Sequence, residues 1–370
     1  MTPAKERTVA FAFDIDGVLV KGKKPVPGAR ETIQLLQSRR IPFIFLTNGG
    51  GHTEEAHVAK LGQRLELTLH AKQFVQSHTP FLDLVPAYGD KTVLVLGGHG
   101  QQIRNLAHAY GFTKVVTSSD VVAECEHIHP FPEMTKDHHV EHGRGNGELR
   151  ATKISAIMVW TSPRDWCLDL QVVTDLLLSD GGIIGTRSPT NGDSSLPNNG
   201  YQQEDQPKLF FCNPDFEWST EHEHPRFAQG AFREALRGVW NHATRGRAQL
   251  EYEVVGKPTE ATYKYGERVL REYGEALDAS RTIDTVYMVG DNPESDIVGA
   301  NSFRSEHGIV WKSILVETGV HVANSVSSHQ PYHTATDVKE AVEWVLEEED
   351  AIAGCSRHTN GNGAAGNGKA

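Results

Sequence analysis

Two aspartates, Asp14 and Asp16, interrupt an apolar stretch, FAFDIDGVLV, that runs from Phe11 to Val20. A carboxylate in apolar surroundings is costly, and a close pair costs more, so this pair demands either a cation or a break in the strand. In a strand, residues i and i+2 face the same side, and Gly17 permits a sharp turn. Both carboxyl groups, or one carboxyl and a neighbouring carbonyl, can thus gather at the strand's C-terminal end, where open α/β sheets place ligands. Three further apolar stretches end in polar residues. FLTNGGG supplies Thr47, Asn48 and three glycines from Gly49, VVGKP supplies Lys257, and MVGDNPESD supplies Asp291 and Asp296. Glycines let backbone N–H groups approach an anion closely. Carboxylates gathered at one place need a cation, and hard oxygen ligands suit Mg²⁺, which makes Asp14, Asp16, Asp291 and Asp296 the candidate metal residues.

Such residues must be held by strands. TVAFAF and IPFIFLTN read as buried strands, separated by the helical pattern PGARETIQLLQSRR, and Thr53-Glu54-Glu55 opens another helix. The alternation returns late in the chain. YEVVGKP, TVYMVGD and KSILVE are strands, TEATYKYGERVLREYG and ESDIVGANSF are helices, and Thr336 can cap a last helix, DVKEAVEWVLEEE. Buried strands alternating with helices predict a parallel sheet covered on both faces, a Rossmann-like three-layer α/β/α core. Between the halves, KTVLVLGG, KISAIMVW and KLFFCN read as strands and QQIRNLAHAYGF and CLDLQVVTDLLLS as helices. This block can build its own core, which predicts an inserted α/β domain over 79–249 in a discontinuous core domain of 1–78 and 250–350. DHHVEHGRGNGE and SPTNGDSSLPNNGYQQEDQ read as long mobile surface loops. The Gly/Asn-rich tail 351–370 reads as disordered.

The chain has 370 residues, 36 Lys+Arg against 48 Asp+Glu, and a formal net charge of -12. That argues against nonspecific nucleic-acid binding, which needs a basic surface, but not against a small anionic substrate. Four cysteines lie far apart with no CxxC pair, the pattern of a reduced intracellular protein. No apolar run reaches the roughly 20 residues of a membrane span. With the first strand near residue 8, no leader peptide is expected.

The order D-x-D-G-V, T-N after a strand, G-K-P and G-D-x-x-x-x-D resembles the haloacid dehalogenase superfamily. The insert between the second and third motifs is similar to class IIA members, which carry a large α/β cap there. FFCNPDFEW followed by GAFREAL resembles the cap exit of that subgroup, and the triple glycine and STEHEHPRFAQGAFR resemble its eukaryotic branch from the cat-eye-syndrome critical region. The resemblance implies a Mg²⁺-dependent phosphatase acting on a small phosphorylated metabolite through an aspartyl phosphate. It implies Asp14 as nucleophile and Asp16 as general acid and then base. Thr47 would hydrogen-bond a phosphoryl oxygen, helped by N–H groups at Asn48 and Gly49, and Lys257 would neutralise charge. Mg²⁺ would be held by the Asp14 carboxylate, the Asp16 carbonyl and Asp291, with Asp296 anchoring a water or Lys257. Asn213 and Asp215 are the cap's candidate substrate contacts. A homodimer through the cap and a cytoplasmic or mitochondrial matrix location also follow from the resemblance. The alternatives are a scaffold or binding protein with weak turnover, and a phosphotransferase in phospholipid metabolism.

Other features read more plainly. VLGGHGQQI lacks the third glycine of a dinucleotide loop and reads as a tight strand–helix turn. HIHP, DHH and EHEHP invite a zinc reading, but their spacings fit no familiar set, so they read as His-rich surface loops, with His222 and His224 able to face a substrate. Trp160, Trp166, Trp218 and Trp240 read as core.

Overall fold

A computed structural model describes residues 6–125, 127–218, 222–224, 226–321 and 326–361, the side chains as far as residue 351. The chain forms two compact units. One comprises residues 1–43, 62–68 and 270–370, the other 44–61 and 69–269.

In the first unit the apolar runs form parallel strands, as their β-branched and aromatic content dictates. Arg281–Gly290 lies between Glu6–Phe13 and Val310–Val316, with His333–Ala335 beyond the latter. Phe13 pairs with Val289, and Gly290 with Leu315, so three strands end at one level. Phe11 and Phe13 stack at 5.6 Å, and Phe13 meets Phe43 edge-on at 6.3 Å. The helix Ala29–Arg39 buries Ile33 and Leu36, two positions of one face. The last helix begins at Val338, and its N-cap is Asp337 rather than Thr336. The Asp337 carboxylate accepts the N–H groups of Lys339 and Glu340, while the Thr336 hydroxyl is spent on Glu340. That helix continues to Gly361, into the stretch expected to be disordered. The remainder of the expected tail, 362–370, lies outside the described residues.

The second unit holds a five-stranded parallel sheet in the order Glu253–Val254, Lys208–Phe211, Ala156–Val159, Thr92–Leu96, Lys114–Thr117. Its strands alternate cleanly. Leu94, Leu96, Ile157 and Val159 join Leu168, Val172, Phe232 and Trp240 in one core cluster. Val93, Val95, Ala156 and Met158 join Ile103, Leu106, Phe81 and Trp160 in another. Successive residues of a strand face opposite layers, so helices cover both sides.

Several expectations are corrected here. The VVGKP strand was expected in the sheet that carries Asp14. Val254 instead pairs with Phe211, and the Val255 N–H donates to the Phe211 carbonyl at 2.9 Å, so it edges the second unit's five-stranded sheet. DHHVEHGRGNGE is not a free loop: Lys136–His142 is a helix with His139 buried. SPTNGDSSLPNNGYQQEDQ has little regular structure, yet it is packed down through buried Tyr201, Gln202 and Gln206. Trp160 and Trp240 are core, whereas Trp218 is 58% exposed on a short antiparallel hairpin.

Candidate active site

The strand Glu6–Phe13 stops one residue before Asp14, whose N–H donates to the Val289 carbonyl at 2.9 Å. The chain then turns. Gly17 has φ of 88°, its N–H donates to the Val20 carbonyl at 2.7 Å, and Ile15 caps the turn by accepting from Leu19 and Val20. Because the strand has ended, the expected i, i+2 alignment does not carry over. Asp14 is buried and Asp16 is exposed. The Asp16 carboxyl is accordingly not part of the carboxylate cluster that the structure assembles.

That cluster is Asp14, Asp291 and Asp296, all buried, with one carboxylate oxygen from each lying within 4.8 Å of the others. Asp291 follows the strand Arg281–Gly290 directly. Its Oδ2 accepts the Val320 N–H at 2.6 Å and its carbonyl accepts the His321 N–H at 3.1 Å. Asp296 lies in the wide helical turn Pro293–Ile297, where its Oδ2 accepts the Asn292 N–H at 3.1 Å. Glycines shape the cradle. A Cβ on Gly17 would stand 2.4 Å from Asp291 Oδ2, and one on Gly319 only 1.9 Å from it. Gly319 and the Val320 N–H are contributors that the motif reading missed, since Thr318-Gly319 carries no signal without knowledge of the loop's path. Gly319→Ala is expected to push Asp291 aside and cost about 1–3 kcal/mol of stability by overpacking. Gly238→Ala, with nothing within 4 Å, is the control and should be neutral or slightly stabilising. Urea unfolding midpoints compare the two.

In the second unit the structure ties the other candidates into one network. Asn48 Nδ2 donates to both carboxylate oxygens of Asp215 at 3.1 Å and to the Lys257 carbonyl at 2.9 Å, while its Oδ1 accepts the Lys257 N–H at 2.7 Å. Asn213 Nδ2 donates to the Asn48 carbonyl at 3.1 Å. Gln229, which the motifs do not flag, accepts the N–H groups of Cys212 and Asn213, both at 2.9 Å. The side chain of Asn48 is therefore a brace that positions Lys257. Lys257 itself is buried. Asn213 and Asp215, expected as substrate contacts, spend polar groups on this brace.

Thr47 ends its strand with the N–H donating to the Val75 carbonyl at 3.0 Å. Its Oγ1 accepts from the Gly49 N–H at 3.0 Å, which leaves the hydroxyl proton available to donate. Gly49 thus serves Thr47 rather than offering its N–H outward. Gly51, with φ of 94°, donates its N–H to His78 Nε2 at 3.0 Å, and a Cβ on Gly50 would lie 2.7 Å from the same ring. His78 Nδ1 then donates to the Tyr110 hydroxyl at 2.9 Å, and that hydroxyl donates to Glu54. Full burial lowers the His78 pKa to about 3, with the charges of His57 and His52 adding to the effect. Burial, reinforced by Glu54, pushes the Tyr110 hydroxyl far upward. A neutral, acceptor-bearing imidazole is what the glycine turn requires beneath it.

Parallel α/β sheets with buried acids grouped at the strand ends define the hydrolase class that the motifs resemble. A haloacid dehalogenase-like hydrolase model matches residues 11–113, and a HAD-hydrolase-like model matches residues 254–341. A mitochondrial hydrolase of Saccharomyces cerevisiae is 33% identical over 92% of this chain and 96% of its own. The chain belongs to the haloacid dehalogenase-like hydrolase family. It is also similar to the glycerol-3-phosphate phosphatase of Rattus norvegicus, 26% identical over 86% of this chain and 81% of that one. In fold it resembles the p-nitrophenyl phosphatase of Archaeoglobus fulgidus, with a TM-score of 0.58 at 17% identity over 92% and 99% of the two chains.

Proposed function

We propose that this protein is a Mg²⁺-dependent phosphatase that hydrolyses a small phosphate monoester through an aspartyl phosphate on Asp14. The observation that carries this reading is the buried trio of Asp14, Asp291 and Asp296. Three buried carboxylates with oxygens this close together form the kind of donor set that a hard cation takes. The donor set is all oxygen, which fits Mg²⁺ rather than a softer ion. The ion would be held by Asp14, Asp291 and Asp296 with the Asp16 carbonyl, and when bound it supplies positive charge to the phosphoryl oxygens.

The chain's own residues do the rest. The Asp14 carboxylate attacks phosphorus as the bond to the leaving oxygen breaks, and Asp16 delivers a proton to that oxygen. The exposed carboxyl of Asp16 suits this role, because it must then take a proton from water as the water attacks the acyl phosphate. That second step releases Asp14 and inorganic phosphate. Thr47 donates its hydroxyl proton to a phosphoryl oxygen, and Lys257 neutralises charge there. Residues 79–249 act as the substrate-selecting cap of the class IIA type, and the chain falls in the cat-eye-syndrome-region branch. A homodimer through the cap is part of the proposal, supported by exposed Phe216, Trp218 and Phe227. A mitochondrial location is supported by the Saccharomyces relative. No helix among the described residues is long and apolar enough to cross a membrane.

The test is p-nitrophenyl phosphate hydrolysis by the full chain, first stripped with EDTA and then titrated with Mg²⁺. Activity is expected to vanish on stripping and return with Mg²⁺. A rate indifferent to chelation would overturn the reading.

A further inference from the structure

The second unit carries another group of ligand atoms, of different chemistry. His138 and His142 stand four residues apart on the helix Lys136–His142, so they share a face. His99 comes from the loop that follows the strand Thr92–Leu96. One ring nitrogen of each lies within 4.8 Å of the other two. The ring centroids are 4.8 Å apart for His99 and His138, 4.7 Å for His138 and His142, and 5.9 Å for His99 and His142. Among the described residues no hydrogen bond reaches a ring nitrogen of His99 or His138, and His142 Nε2 has only the Glu141 carboxylate at 3.8 Å. His99 is exposed and the other two are half-buried, so the group is open to solvent.

The arrangement is held from behind. His139, the buried neighbour of His138 on the helix, has Nδ1 3.0 Å from Ser119 Oγ and Nε2 3.5 Å from Asp165 Oδ2, which fixes the helix's rotation. His129 joins the same anchor, its Nε2 3.0 Å from Asp165 Oδ2. Gln101 donates to the His142 carbonyl at 2.7 Å and binds the His99 loop to the helix end. Gly100, with φ of 57°, makes the approach possible, since a Cβ there would lie 3.1 Å from His142 Nε2.

We propose that His99, His138 and His142 form a binding site for a borderline transition-metal ion, Zn²⁺ by preference, with three imidazole ligands and one open position. Imidazole nitrogen selects zinc and its neighbours over Mg²⁺, the reverse of the all-oxygen trio. Three protein nitrogens leave the fourth tetrahedral position for water or another ligand. Zn–N bonds of about 2.0–2.1 Å require the rings to draw together by roughly an ångström, within reach of side-chain rotation. The sequence spacing conceals the site because its third ligand lies far from the other two along the chain.

The test uses the tag-free full chain, stripped and then dialysed against micromolar Zn²⁺ with millimolar Mg²⁺ present, and metal analysis counts the zinc retained. One zinc per chain is expected. His99→Gln and His142→Ala should each weaken zinc binding at least about tenfold, while His222→Ala with His224→Ala should leave it unchanged. Co²⁺ in place of zinc should give the visible absorption bands of a four-coordinate ion, lost in the same variants. Circular dichroism verifies folding, and His99→Gln, lying on a loop, decides the matter if the helix variant unfolds. Failure to retain zinc, or retention equal in the wild type and His99→Gln, overturns the proposal. Neither result touches the Mg²⁺-dependent activity, which the other unit's carboxylates test separately.

Discussion

Asp14→Asn is expected to lower kcat for p-nitrophenyl phosphate by at least about 10⁴-fold, the scale on which removing a covalent nucleophile acts. That corresponds to roughly 5.5 kcal/mol of barrier. Asparagine keeps the volume of the side chain, and the backbone anchor to Val289 does not depend on it. Folding is therefore preserved while the attacking oxyanion is lost. A second readout distinguishes this from a merely structural effect. Asp14 is one of the three carboxylates proposed to hold Mg²⁺, so the ion should stabilise the wild type more than the variant. Saturating Mg²⁺ should accordingly raise the wild-type melting temperature above its value in EDTA, and raise that of the variant less. Wild-type turnover in Asp14→Asn would remove Asp14 from the chemistry. Equal Mg²⁺-induced shifts in the two proteins would show that Asp14 is not a metal ligand.

Asp169→Asn is expected to stabilise the protein at pH 8 by up to about 4 kcal/mol and to change little at pH 4. Asp169 lies in the helix Trp166–Leu177 and is buried, its Oδ1 accepting from the Ser118 hydroxyl. Burial raises its pKa from 3.8 to about 7, and the nearby Asp165 charge adds to this against the Ser118 hydrogen bond. A carboxyl whose folded pKa is raised favours folding below its ordinary pKa, and that contribution is lost as pH climbs through about 7. Asparagine mimics the protonated form at every pH, so the loss disappears. His78 has the opposite slope. Its folded pKa of about 3 against an ordinary 6.5 means that protonating the unfolded chain costs stability as pH falls below 6.5. The two slopes oppose each other between about pH 3.8 and 6.5, flattening the wild-type profile. Asp169→Asn should expose the His78 slope, with stability rising toward neutrality. Guanidinium midpoints at pH 4, 6 and 8 measure both effects. A variant as pH-sensitive as the wild type above pH 6 would count against a buried, neutral Asp169.

Much of the site was legible because phosphoryl chemistry needs particular residue types at strand ends, and those types are conspicuous within apolar runs. Asp14, Asp291 and Asp296 were found this way, and the structure brings them together. For Asp16 the sequence left open whether its carboxyl or its carbonyl joins the acids, and the carboxyl is exposed because strand periodicity applies only while the strand lasts, and it stops at Phe13. The sequence did not show that the Asn48 side chain is spent on Asp215 and Lys257, or that the Gly49 N–H donates to Thr47. Those partners are distant in sequence, and no local pattern announces them. Gln229 and Gly319 escaped notice for the same reason.

The sequence by itself determined the family, the alternation of strands and helices, and the acids that end the strands, because each of these is a local demand of backbone geometry or charge. The tertiary structure alone decided which polar groups are spent on one another. It set the VVGKP strand beside Phe211, made Asn48 a brace, and gathered His99 with His138 and His142. Hydrogen-bond satisfaction and ligand grouping depend on distances in space, and a linear order of residues carries those only where the chain is locally regular.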